Sequence, residues 1–129
     1  MTIRFNTAMR DVMVTALTGA IGGTTLSIYT GSQPAAANDA ATGTKLVDIT
    51  IIGFNAPANG SATLSTSSPS TGTAVATGTA GWGRIVGGAG VRIDGTVGTS
   101  GTDFTINSTS ITNGATVTLT AMTVTQPAS

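Results

Sequence analysis

Trp82-Gly83-Arg84-Ile85-Val86, followed by Gly87-Gly88-Ala89-Gly90 and then Val91-Arg92-Ile93-Asp94-Gly95-Thr96-Val97, is the stretch from which the fold follows. Its first five residues read as a strand and its last seven as a return strand. The glycines between them read as a turn, because glycine enters backbone conformations closed to other residues. The pair predicts an antiparallel hairpin.

The same period-two pattern recurs on both sides. Upstream, residues 24–30 place Leu26 and Ile28 on one face and Thr25, Ser27 and Tyr29 on the other, and end at a Gly31-Ser32 turn. Residues 45–52 form the most regular strand, with Val47, Ile49 and Ile51 facing one way and Leu46, Asp48, Thr50 and Ile52 the other. A second face that is half apolar predicts a central place in the sheet. Between these strands, residues 32–43 have no period and read as a loop or extended arm. Residues 53–72, with Pro57, Asn59-Gly60 and Ser67-Ser68-Pro69-Ser70, read as turns around one short strand near 62–65. Residues 73–80 alternate Thr with Ala or Val.

Downstream, Phe104 and Ile106 alternate, Asn113-Gly114 turns the chain, and residues 116–125 read as a final long strand. In that strand Val117, Leu119 and Ala121 share one parity, while Met122 and Val124 share the other. Either a bulge around Ala121-Met122 keeps both sets inward, or the strand is buried on both faces.

Only the start of the chain has helical spacing. Met9, Val12, Met13, Ala16 and Leu17 recur at intervals of one, three and four, which predicts one amphipathic helix over about 7–19 with these residues as its docking face. Asn6 or Thr7 supplies a cap, and Gly19 with Gly22-Gly23 supplies the stop. A helix this short is marginal alone, so its stripe must dock on a sheet or on a neighbouring chain. Arg4 and Arg10 before an apolar run loosely mimic a secretory signal, but Asp11 heads that run, which is also too short to span a bilayer. The prediction is a single mainly β domain over 1–129. It is an antiparallel β-sandwich of about seven to nine short strands, preceded by one N-terminal amphipathic α-helix.

Composition narrows the function. The 129 residues include 27 threonines and 18 glycines, while charged residues make up 8% against the roughly 25% usual for soluble domains. The net charge is zero, which removes the self-repulsion that keeps free proteins apart and suits a chain that lives in an assembly. Histidine, cysteine and glutamate are absent, so general acid–base and nucleophilic chemistry lack their usual groups. No catalytic residue, cofactor or enzymatic activity is expected. One lysine and four arginines are too few to track a phosphate backbone, so neither nucleic acid nor membrane is an expected partner.

Among five aspartates, only Asp94 and Asp103 flank a glycine-rich segment whose carbonyls could join them around calcium. Turn formation through their own backbone is the favoured reading, and no metal site is expected. Trp82, Tyr29, Phe54 and Phe104 are the expected core or interface anchors. Trp82 with Tyr29 is also the one pair that could stack on a sugar, as in a carbohydrate-binding or adhesin module.

Three stretches carry a resemblance. They are Leu26-Ser27-Ile28-Tyr29-Thr30-Gly31-Ser32-Gln33-Pro34 with Gly43-Thr44-Lys45-Leu46-Val47; Ala76-Thr77-Gly78-Thr79-Ala80-Gly81-Trp82-Gly83-Arg84 leading to Asp94-Gly95-Thr96-Val97-Gly98; and Asn107-Ser108-Thr109-Ser110-Ile111 with the closing Thr- and Val-rich strand. Together they resemble the small β-rich virion structural proteins of tailed bacteriophages, most of all capsid decoration, or cement, proteins. The resemblance implies a non-enzymatic homo-oligomeric subunit, often a trimer, on the capsid exterior, bridging major capsid protein subunits. Tail, baseplate and fibre-associated subunits share the same β-rich character. On this reading the N-terminal segment and the 32–43 loop are the expected contact elements.

Overall fold

The computed structural model describes residues 3–67, 69–87 and 90–125. Within them one helix, α1 (Thr7–Ile21), precedes ten strands. These are β1 (Thr25–Tyr29), β2 (Lys45–Thr50), β3 (Ser61–Thr63), β4 (Ser70–Thr73), β5 (Gly78–Thr79), β6 (Trp82–Val86), β7 (Arg92–Gly98), β8 (Phe104–Ile106), β9 (Ser110–Ile111) and β10 (Thr116–Thr125). The chain is mainly β with one N-terminal helix.

Eight strands form one sheet in the order β2-β1-β6-β7-β8-β10-β3, with β4 also on β10, and the two-residue strands β5 and β9 pair separately. The main sheet thus has a strand number inside the expected range, and the β5–β9 pair is additional. The expected hairpin is β6 with β7, antiparallel from Trp82↔Thr96 to Val86↔Arg92. Of its turn, Gly88 and Ala89 lie outside the described residues.

The sheet is mixed rather than purely antiparallel, because β7 and β8 run parallel at Val97↔Phe104 and Gly98↔Thr105. A parallel connection normally needs a dozen or more residues. Here residues 99–103 suffice because Asp103 staples the return: its Oδ2 accepts the Thr96 N–H at 2.9 Å and the Thr96 hydroxyl at 3.1 Å.

The sheet curls until its ends meet. Val75 N–H donates to the Leu46 carbonyl at 2.8 Å, and Ile52 N–H donates to Ser70 Oγ at 3.1 Å, so the β4 segment lies along β2. At Gly72 the two backbones come so close that a Cβ would strike the Asp48 carbonyl oxygen. β2 therefore ends the paired ladder instead of occupying its middle, and both its faces are buried at Leu46 and Val47 because β4 and β5 cover it. The curled sheet, intermediate between a sandwich and a half-barrel, encloses one core that includes Leu26, Ile28, Ile49, Ile85, Phe104, Ile106 and Leu119.

In β10 the register slips between Leu119↔Ile106 and Ala121↔Thr105, leaving Thr120 as the extra residue. Val117 and Leu119 are buried before it, and Met122 and Val124 after it. The bulge sits one residue before the predicted position, and the Thr120 hydroxyl donates to the Thr105 carbonyl across the kink at 3.1 Å. The last residues of the segment read as turns, 70–72, belong to strand β4, which runs on to Thr73. Residues 73–80 do not form one strand, because the chain leaves β10 after Thr73 and re-pairs only at β5.

Asn6 caps α1 by accepting the Met9 N–H at 2.9 Å. Gly19 does not stop the helix, which runs to Ile21. The chain then leaves through Gly22 in an extended conformation and Gly23 at φ +76°, where glycine relieves the strain. The docking face is rotated from the expected one. Val14 and Ile21 are fully buried and Leu17 packs on the core, Met13 is half-buried, and Met9, Val12 and Ala16 are exposed. The Asn59-Gly60 turn, with φ +53° and +77°, fixes the rotation by reaching the helix: Gly60 N–H donates to Asp11 Oδ1 at 2.6 Å.

Candidate functional site

The outer face of β2-β1-β6-β7 carries an unusual row for a solvent-facing surface. Register places Asp48, Ser27, Arg84 and Asp94 side by side on four consecutive strands, and Tyr29, Trp82 and Thr96 in the next row. Arg84 donates to Asp94 through Nε at 2.7 Å and Nη2 at 2.9 Å, a two-pronged pair in which both side chains are only 5% exposed. The planar guanidinium suits this geometry, and lysine could not reproduce it. The Arg84 guanidinium carbon also lies 5.3 Å from the Trp82 ring centre, and Trp82 stacks on Tyr29 at 4.7 Å with 16° between planes. Hydrogen bonding to Asp94 holds Arg84 charged beyond its ordinary value. Burial opposes this, and the charge of Asp39 adds to it.

The 32–43 loop covers the Trp82 end of this platform. The Thr42 carbonyl accepts the Trp82 indole N–H at 3.2 Å, and the Asn38 carbonyl accepts from Arg92 at 3.3 Å. The Thr42 hydroxyl closes the loop on the Ser32 carbonyl at 3.2 Å, and Thr44 N–H donates to the Thr30 hydroxyl at 2.9 Å. Asp39 turns the loop's tip by accepting Ala36 N–H at 3.1 Å. The loop is thus anchored on a charged and aromatic platform, while most of its own side chains face water.

Each expected residue has a place. Trp82 is fully buried, but under the loop and outside the main core, so neither ring face is open for a sugar. Tyr29 is half-buried beside it. Phe104 belongs to the main core, and Phe54 packs against that core half-buried.

The Asp94 and Asp103 carboxylates serve different partners, Arg84 and Thr96, and do not form a joint ligand set. The remaining aspartates are likewise engaged: Asp11 with Gly60, Asp39 with Ala36, and Asp48 with Ser27 and Lys45. Among the described residues no group of three potential ligands gathers, and no helix is long and apolar enough to cross a membrane. Arg84 does not stand out in the apolar alternation of the sequence; its one signal is the hairpin register, which sets Arg84 opposite Asp94.

A second feature is the outer stripe of α1, where Met9 is 46% and Val12 63% exposed, with Ala16 exposed one turn on. Compared with known protein families, curated proteins and solved structures, the chain finds no match.

Proposed function

We propose that the chain is a non-catalytic structural subunit that works by adhesion in a multi-copy assembly, and specifically that it decorates the exterior of a tailed-phage capsid by bridging major capsid protein subunits. The observation that carries the adhesive reading is the outward stripe of α1. Met9, Val12 and Ala16 repeat at three and four residues on a helix whose inner face is already satisfied by Val14, Leu17 and Ile21. Apolar surface gains about 25 cal/mol per Å² when it leaves water, so a contiguous stripe favours a partner. The 32–43 loop, preorganised over the Arg84–Asp94 pair with its side chains outward, is the second contact element, since a loop already ordered loses less entropy on binding.

The engagement of all five aspartates in holding the fold supports a non-catalytic role. The virion setting rests on the resemblance of the strands around Leu26, Trp82 and Ile111. In such a setting each contact is modest, and many copies spanning capsomer boundaries act together through avidity.

The test is co-sedimentation of the purified chain with capsids that lack it. Saturable binding is expected, weakened by Met9→Asp with Val12→Asp while the circular dichroism spectrum stays that of the parent. Binding to tails alone would move the subunit to the tail, and binding to neither would overturn the virion reading.

A further inference from the structure

The sheet contains a gap in the shape of a missing strand. β8 separates β7 from β10, which at that level places them two ladder spacings apart, about 9.6 Å. But β8 is only three residues long and begins at Phe104, whereas β7 extends back to Arg92 and β10 forward to Thr125. Among the described residues no strand fills the space between these extensions.

Its two sides are strand edges. Gly87 N–H donates to the Val91 carbonyl and Val97 N–H to the Gly81 carbonyl, so the odd-numbered residues of β7 address β6. By alternation Arg92 and Asp94 direct their main-chain groups into the gap. On the opposite side Leu64 N–H donates to the Met122 carbonyl, which turns Met122 and Val124 toward β3 and Thr123 toward the gap. The inner floor is mainly apolar, lined by Leu17, Ile93, Phe104, Met122 and Val124 together with Asp94, Asp103 and Thr123 around a cavity of about 210 Å³. The outer mouth, about 340 Å³, shares Asp103, Met122 and Thr123 with it. Unpaired edges over an apolar floor are what an added strand needs.

We infer that this gap accepts, as an added strand, the segment Ile3-Arg4-Phe5 of a second copy of the chain. That segment has the required pattern: Ile3 and Phe5 share one parity and can face the floor, while Arg4 faces outward beside the exposed carboxylate of Asp103. Ile3 is 78% exposed in its own chain, so it has no partner there. The segment does not fill its own chain's gap, whose lining comes from Leu17, β7, Asp103-Phe104 and β10 while Ile3 stands exposed. Association is therefore between copies and head-to-tail, giving a closed ring where the rotation closes and a chain where it does not. The inference deepens the adhesive reading and is independent of which particle carries the protein.

Because the chain has no cysteine, a cross-link reads this contact cleanly. Full-length Arg4→Cys protein, carrying a mass tag, is mixed under mild oxidation with untagged Thr123→Cys protein. The expected result is a tagged–untagged disulfide that fails to form with Thr116→Cys, at the far end of β10. Sedimentation should show the parent as an oligomer, and Ile3→Asp with Phe5→Asp as a folded monomer.

A monomeric parent, equal cross-linking at Thr116 and Thr123, or an oligomer unchanged by the Ile3 and Phe5 substitutions would each overturn the inference. None of these results depends on capsid binding, so the two readings fail separately.

Discussion

Arg84 and Asp94 face each other across β6 and β7 as a two-pronged ion pair, closed from water by the Trp82 ring at one side and by the 32–43 loop above. Removing one partner leaves an uncompensated buried charge, which costs far more than the pair itself contributes. Arg84→Met is therefore expected to destabilise the fold by about 3–5 kcal/mol in urea unfolding, and Arg84→Met with Asp94→Leu to recover most of that loss. Because Arg84 is held charged above its ordinary value, its contribution is complete below the unfolded-state pKa and is lost only as pH rises through the still higher folded-state one. The stability difference between parent and double variant should then stay constant from about pH 7 to pH 10.

Trp82 is the only tryptophan, and its indole N–H holds the loop through the Thr42 carbonyl. Its emission should be blue-shifted and resistant to iodide quenching, and should not respond to glycans. Trp82→Phe keeps the stacking ring and removes the donor. It should cost about 1 kcal/mol and speed hydrogen exchange in residues 36–43 while the core amides stay protected. Strong iodide quenching in the parent would show that the loop does not close over the ring.

Deleting Thr120 would remove the extra residue of the β10 bulge and leave a regular alternation in which Leu119, Met122 and Val124 all still face inward. The deletion should therefore keep a urea midpoint near the parent's, whereas Met122→Ala, which empties an inward position, should cost about 2–5 kcal/mol. Thr120→Ser keeps the hydroxyl that reaches the Thr105 carbonyl and should stay close to the parent.

Two glycine substitutions are expected to act in opposite directions. Nothing lies within 4 Å of a Cβ built at Gly19, which sits inside α1, so Gly19→Ala should stabilise by about 0.5–1 kcal/mol. At Gly72 the added Cβ would strike the Asp48 carbonyl and force β4 off β2, so Gly72→Ala should lower the melting temperature. An unchanged melting temperature there would mean that the sheet does not close through β4.

What the sequence made legible follows the range of the forces involved. The β6–β7 hairpin, strand β1 and the β10 bulge were readable because each rests on local alternation of apolar residues against a turn or a parity switch. The rotation of α1 was not. It depends on Asp11 meeting Gly60, a contact across 49 residues that no helical pattern encodes. The position of β2 was misjudged for a similar reason, because Leu46 is buried by chain that arrives much later, at Gly78 and Val75. Of the site, the aromatic pair was visible as two anchors. Its burial was not, because residues 32–43 have no period and hold the platform mainly through backbone carbonyls, which carry no sequence signature.

An electron-microscopy map of intact particles decides between capsid and tail. Density for this chain is expected on the outer capsid surface at the boundaries between capsomers, with α1 and the 32–43 loop against the major capsid protein. Density confined to the tail, or particles that carry no copy of the chain, would contradict the capsid reading.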